Sequence, residues 1–169
     1  MPRLILLNGP PACGKSTLAR RYVDEHPLTL NLDVDLLRSL IGRWRDEPHA
    51  AGLLAREVAL AAARAHLAAG HDVVVPQFLA RPTFVEQLER LAPEVAATFH
   101  EVVLLDTKEN MLRRYAERGD DPADPWFADL SAMYDRFVAM IATRPGARIV
   151  HVQDGEVDLT YRAVLRYLG

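Results

Sequence analysis

Cysteine is almost missing from this chain. Cys13 is the only one in 169 residues, which excludes an intrachain disulfide and a cysteine-rich zinc site. Lysine is nearly as scarce: of 20 basic residues only Lys15 and Lys108 are lysine, and the rest are arginine. No apolar run approaches the roughly 20 residues of a membrane-spanning helix. The opening MPRLILLNGP lacks the long apolar segment of a secretory signal and reads as a first strand, so a cytoplasmic protein is expected. The net charge of −3 argues against a broad nucleic-acid surface, which needs clustered positive charge. No N-K-x-D tetrapeptide is present, so a guanine-reading switch GTPase is not expected. An Asp-Glu pair after a later apolar strand, as larger ATPases carry, is also missing.

Half of the residues are apolar and a quarter are charged, a composition that supports one domain with a full hydrophobic core. Short apolar runs alternate with longer helical patterns. Strands are expected over 3–8, 28–32, 71–76, 99–106 and 147–152, the third of them stopped by Pro76. Helices are expected over 15–24, 34–41, 53–70, 81–92, 107–119 and 126–142, with a closing helix from 157. Five strands separated by helices imply a parallel sheet covered on both faces. The expectation is therefore a three-layer α/β protein of the P-loop NTPase type, with a five-stranded parallel sheet in a single domain over 1–169 and a lid around 114–127.

The stretch GPPACGKST, residues 9–17, matches G-x-x-x-x-G-K-[ST] between a strand and a helix, the context that this motif requires. Gly9, Pro10, Pro11, Ala12, Cys13 and Gly14 would curve the backbone into an anion nest at a helix N-terminus. Lys15 should reach the β- and γ-phosphates, the Ser16 hydroxyl should ligate Mg²⁺, and Thr17 should bond a further phosphate. ATP and Mg²⁺ are the expected cofactors.

Two carboxylates follow in NLDVDLLR, residues 31–38. Asp33 suits an N-cap, and it is also a candidate to meet the substrate, as the base or as a group behind Mg²⁺. Asp35 reads either as a first-turn acid stabilised by the helix dipole or as a catalytic base. Arg38 lies three residues on and shares a face with Asp35. Ligands in open α/β sheets bind beyond the carboxyl ends of the strands. Gln77 and Phe78, after the third strand, and Arg81 are therefore candidates to bond or stack on a phosphoacceptor. Trp44, between Arg43 and Arg45, could line the same pocket. Arg114 and Arg118 are spaced four apart on a helix that runs into the loop GDDPADP, so both could converge on transferring phosphoryl charge. The run VQDGEVD is expected near the adenine.

From about Arg3 to Tyr134 the sequence resembles the P-loop kinase domain of phage-type polynucleotide 5′-kinases. It is also similar to small antibiotic and metabolite kinases of that superfamily, such as chloramphenicol phosphotransferase and zeta-toxin-type sugar-nucleotide kinases. GPPACGKSTLAR, NLDVDLLRSL, and RRYAERG followed by LSAMY carry the likeness. The resemblance implies that Asp35 is the general base for the acceptor hydroxyl. It implies that Arg38 anchors an acceptor phosphate, and that Arg114 and Arg118 are lid arginines on the donor phosphates. Leu36 stands where an acid follows the base in the resembled family, and PQFLARP replaces its Asp-Thr-Asn-Leu loop. The expected activity is phosphoryl transfer from ATP to a hydroxyl of a small molecule such as an antibiotic, nucleoside or sugar-like metabolite. A 5′-hydroxyl nucleic-acid kinase and a nucleotide-binding regulatory ATPase without an acceptor are the alternatives.

Overall fold

The computed structural model describes residues 1–119 and 125–169. Its elements run β1 (Arg3–Asn8), α1 (Lys15–Glu25), β2 (Leu30–Asn31), α2 (Val34–Ser39), α3 (Pro48–Ala68) and β3 (Val73–Gln77). They continue with α4 (Pro82–Glu94), β4 (Thr98–Leu105), α5 (Lys108–Glu117), α6 (Pro125–Ala142), β5 (Arg148–His151) and α7 (Val157–Leu168). The strands form one sheet in the order β2-β3-β1-β4-β5, and every pairing is parallel. The α/β class and the five-stranded parallel sheet are those expected from the sequence.

Side chains of a strand alternate between faces, and the two cores follow that alternation. Leu4, Leu6, Val73 and Val75 face α3, α4 and α6 through Ala55, Ala59, Phe84, Leu88 and Phe137. Ile5, Leu7 and Val74 face α1 and α7 through Leu18, Tyr22, Tyr161 and Val164. Helix α3 buries Ala51, Ala55, Ala59 and Ala63. A methyl-sized residue every fourth position lets a long helix lie close against the sheet. Among the described residues no helix is long and apolar enough to cross a membrane.

Several boundaries differ from the sequence reading, and three of the differences have a visible cause. The strand expected over 28–32 shortens to Leu30–Asn31, because Leu28 turns into the left-handed region with φ 66. Helix α3 starts at Pro48, five residues before Leu53, with proline in its first turn, where its missing N–H costs nothing. Pro76 does not stop β3. It lies within the strand, opposite Leu7. The Val74 carbonyl accepts from Leu32 N on the β2 side, so the nitrogen two residues on faces that side as well. Strand β2 has already ended there, and no ladder bond is lost.

The strand order reverses about β1, which opens a crevice at the carboxyl edge of the sheet. The phosphate loop, Asp33, Asp106 and Asp154 follow strands at that edge, and Gln77 ends β3 there. Residues 120–124, which hold the middle of the lid expected over 114–127, lie outside the described residues.

Candidate functional site: a phosphate loop facing Asp35

The loop begins where β1 meets β4. A Cβ on Gly9 would stand 2.7 Å from the Leu104 carbonyl oxygen and 2.8 Å from Cys13 Sγ, so only glycine fits. Ala12 and Gly14 take left-handed backbone, with φ 62 and 93, the conformations from which anion nests are built. Leu18 N then donates to the Gly14 carbonyl at 3.0 Å and starts α1.

Lys15 Nζ donates to the Pro10 carbonyl at 2.7 Å and lies 3.8 Å from Cys13 Sγ. The side chain borders the cleft, yet its ammonium end is packed round by protein atoms. Loss of water lowers its pKa, and Arg118 pushes the same way, while Cys13 and Asp35 act against the shift. No carboxylate forms an ion pair with Lys15 among the described residues. Ser16 and Thr17 are exposed and have no protein hydrogen-bond partner among those residues. An enclosed ammonium without a counter-ion, beside two free hydroxyls and a curved backbone, fits the phosphates of a nucleotide with a bound cation. Among the described residues no three His, Cys, Asp or Glu side chains gather into a metal site. That fits a cation carried mainly by phosphate oxygens and water, as Mg²⁺ is.

Across the cleft, Asp33 caps α2: its Oδ1 accepts from Asp35 N at 2.9 Å and Leu36 N at 3.2 Å. The cap turns Asp35 outward. Its carboxylate is 63 % exposed and stands 3.5 Å from Arg38 Nη2 and 3.5 Å from Gln77 Nε2. Asp33, Asp35, Pro76, Phe78 and Arg118 share with Pro11, Ala12 and Gly14 to Thr17 a cleft of about 200 Å³. Phe78 packs edge-on against Phe137, 5.3 Å between centroids, which holds it at the cleft wall. The Arg38 guanidinium lies over Trp44 at 4.9 Å, and Arg45 over the same ring at 4.4 Å. Arg43 instead pairs with Asp46 at 2.6 Å. Arg81 sits outside the cleft lining, exposed at the N-cap of α4.

The two lid arginines have different surroundings. Arg118, at the C-cap of α5, lines the cleft and makes no ion pair among the described residues. Arg114 is held on three sides. It lies 2.8 Å from Asp106 Oδ2, close enough to pair though not aligned as a hydrogen bond. It bonds Asp154 Oδ1 and reaches the loop at the Ala12 carbonyl, at 3.4 Å. Arg113 also bonds Asp154, at 2.7 Å. The Arg114 hydrogen bond, with Arg113 adding to it, holds the Asp154 carboxyl below the usual range. Arg114 is therefore tied to the strand ends, not turned into the cleft as the sequence reading had it.

Three residues of this region escape a reading of motifs. Asn8, fully buried, donates from Nδ2 to the Leu79 carbonyl at 3.1 Å and accepts at Oδ1 from Leu79 N at 2.9 Å. It thereby holds the loop of Gln77 and Phe78 against the base of the phosphate loop. A polar residue closing an apolar strand is the only trace of it in the sequence. Asp154 sits in the segment expected near adenine, but it acts on Arg113 and Arg114. Arg56, from the Ala-rich α3, lies over the Phe84 ring at 5.6 Å beside the start of α4.

A parallel sheet with a phosphate loop at its central strand and functional side chains along its carboxyl edge defines a P-loop nucleotide-binding domain. The chain belongs to the AAA domain family, whose model matches residues 4–140. No curated protein sequence matches it significantly. Solved structures share its fold. One is a candidate kinase of Chloroflexus aurantiacus J-10-fl, 18 % identical with a TM-score of 0.72, matched over 99 % of this chain and 96 % of that one. A gluconokinase of Sinorhizobium meliloti 1021 is 17 % identical with a TM-score of 0.65, over 99 % and 91 % of the two chains. The tunicamycin resistance protein of Deinococcus radiodurans is 15 % identical with a TM-score of 0.62, over 98 % and 95 %. The P-loop group expected from the sequence is the one found.

Proposed function

We propose that this protein is an ATP- and Mg²⁺-dependent phosphotransferase acting on a hydroxyl of a small molecule. One observation carries the reading: an exposed carboxylate, Asp35, borders the same small cleft as the enclosed ammonium of Lys15 and the guanidinium of Arg118. Phosphoryl transfer needs little beyond position, charge stabilisation and a base for the hydroxyl proton. Lys15 and the loop backbone hold the donor's β- and γ-phosphates. Ser16 is the residue that would hold Mg²⁺, which when bound neutralises charge on those phosphates. Asp35 accepts the hydroxyl proton as the acceptor oxygen bonds the γ-phosphorus. The bond from that phosphorus to the bridging oxygen breaks, and ADP leaves. Arg38 and Gln77 orient the carboxylate, and Arg118 faces the moving charge. Two of the structures sharing the fold bear kinase names, which supports the reading. The narrow cleft and the net negative charge favour a small acceptor over a nucleic acid.

Transfer of label from γ-labelled ATP to a panel of hydroxylated metabolites, antibiotics, nucleosides and oligonucleotides tests this reading. Asp35→Asn should lower kcat about a hundred- to ten-thousand-fold and leave ATP affinity within about twofold. Near-normal turnover in that variant would sink the assignment of the base.

A further inference from the structure

Helix α3 is apolar on both sides. Its inner face buries Ala51, Ala55, Ala59, Ala63 and Leu67. Its outer face carries Leu53, Leu54 and Val58 at 50, 56 and 50 % exposure. A helix apolar all round is ordinarily buried all round, and exposed apolar patches mark contact surfaces. Along that outer face Leu54, Glu57, Ala61, Arg64 and Ala68 are all exposed. They recur at alternating spacings of three and four, the seam from which helix pairs are built. Around Ala61 the surface dips into an open groove of about 440 Å³ lined by Glu57, Leu60, Ala61, Arg64 and Ala65. None of these residues lines the cleft at the phosphate loop.

The two charges in the seam select the occupant. Glu57 makes no ion pair among the described residues. Arg64 bonds Glu94 at 2.5 Å, and its side chain is still 53 % exposed. Glu57 lies four positions before Ala61 and Arg64 three positions after it. A second copy, turned about a two-fold axis beside Ala61, runs its α3 antiparallel to the first. Each Glu57 then meets the partner's Arg64, and symmetry makes the pair twice. The same turn sets Leu54 against the partner's Ala68, a large residue against a small one, which lets the backbones approach. Parallel helices in register would instead face Glu57 with Glu57 and Arg64 with Arg64, and like charges repel. We infer that the outer face of α3 is a homodimer surface, on which two copies pair their α3 helices antiparallel through Glu57 and Arg64. A helix of this length spans about 30 Å. A contact of that size sits at the small end of specific interfaces, so a dissociation constant on the order of micromolar is expected.

Sedimentation equilibrium over roughly 1–200 μM spans that constant. The mass should rise from 18.9 kDa toward twice that value. Glu57→Arg and Arg64→Glu each set like charges against one another in a homodimer, and each should weaken it about tenfold or more. Mixed in equal amounts, the two variants regain both opposite-charge pairs. The mixture should dimerise within about threefold of the parent's constant. Both positions are exposed, so urea midpoints of the variants should stay close to the parent's. A parent that stays monomeric throughout overturns the inference and leaves the face to another occupant. A dimer indifferent to both substitutions overturns it as well, as does a mixture of two monomeric variants that fails to pair.

Discussion

Asn8→Ala isolates the contact that joins the two halves of the cleft. The Asn8 amide makes two hydrogen bonds to the backbone of one residue, 3.1 Å to the Leu79 carbonyl and 2.9 Å from Leu79 N. Both residues are buried, Asn8 at 0 % and Leu79 at 2 % exposure. Truncation leaves one backbone donor and one acceptor without partners and without water. Each such group costs about 1–3 kcal/mol. Partial relaxation of the 77–80 loop toward solvent recovers some of that, so a loss of about 2–4 kcal/mol in unfolding free energy is expected. Asn8→Asp should be no milder, because it sets a carboxylate oxygen against the Leu79 carbonyl and buries a charge. Urea unfolding reads the loss, and amide hydrogen exchange at Leu79 reads its location. Protection there should fall far more than at Val74, in the middle of the sheet. A variant within about 0.5 kcal/mol of the parent, with Leu79 still protected, would refute the bridge and the account of how Gln77 and Phe78 are positioned.

Gly9→Ala should abolish nucleotide binding in an equilibrium titration and destabilise the fold by about 1–3 kcal/mol, because the added Cβ meets the rigid Leu104 carbonyl at 2.7 Å. Lys15→Met should separate stability from function. The thermal midpoint should hold or rise, since an enclosed ammonium without a counter-ion is removed, while ATP affinity falls by more than about tenfold. His100 supplies a pH test. Burial, with Arg3 adding to it, lowers its pKa against the pull of Asp72, so the folded chain binds its proton less readily than the unfolded chain does. Its effect on stability is nil above the ordinary histidine value of about 6.5 and becomes increasingly unfavourable as pH falls below it. Urea midpoints measured downward from pH 7.5 should therefore fall less steeply in His100→Gln than in the parent. Equal slopes would remove His100 from the account.

How much of this was legible without coordinates depends on the range of the interaction concerned. The phosphate loop was readable because its geometry is local: Gly9, Gly14, Lys15 and Ser16 are set by spacing along one strand, one turn and one helix. The cap at Asp33 was readable for the same reason, since a side chain bonding amides two and three residues on needs no tertiary information. The parallel sheet was legible because continuous apolar runs such as RLILLN and EVVLL can be buried only between two helical layers. Pro76 was misread because the rule that proline ends a strand holds only where a neighbour needs its N–H. The neighbour here is β2, which stops at Asn31, and no local feature of VVVPQ announces that.

The residues that escaped share one property: each acts on a group far away in the chain. Asn8 and Leu79 are 71 positions apart, Arg114 and Asp154 are 40, and Arg56 lies over the Phe84 ring only after α3 and α4 have packed. Such pairings cost loop-closure entropy when they form, and the sheet has already met that cost by bringing the strand ends together. A side chain at the carboxyl edge can then be drawn into the site without belonging to any motif. The motif residues thus define what the cleft holds on its donor side. The acceptor side depends on pairings such as Asn8 with Leu79, which the fold and not a motif sets beside Gln77 and Phe78.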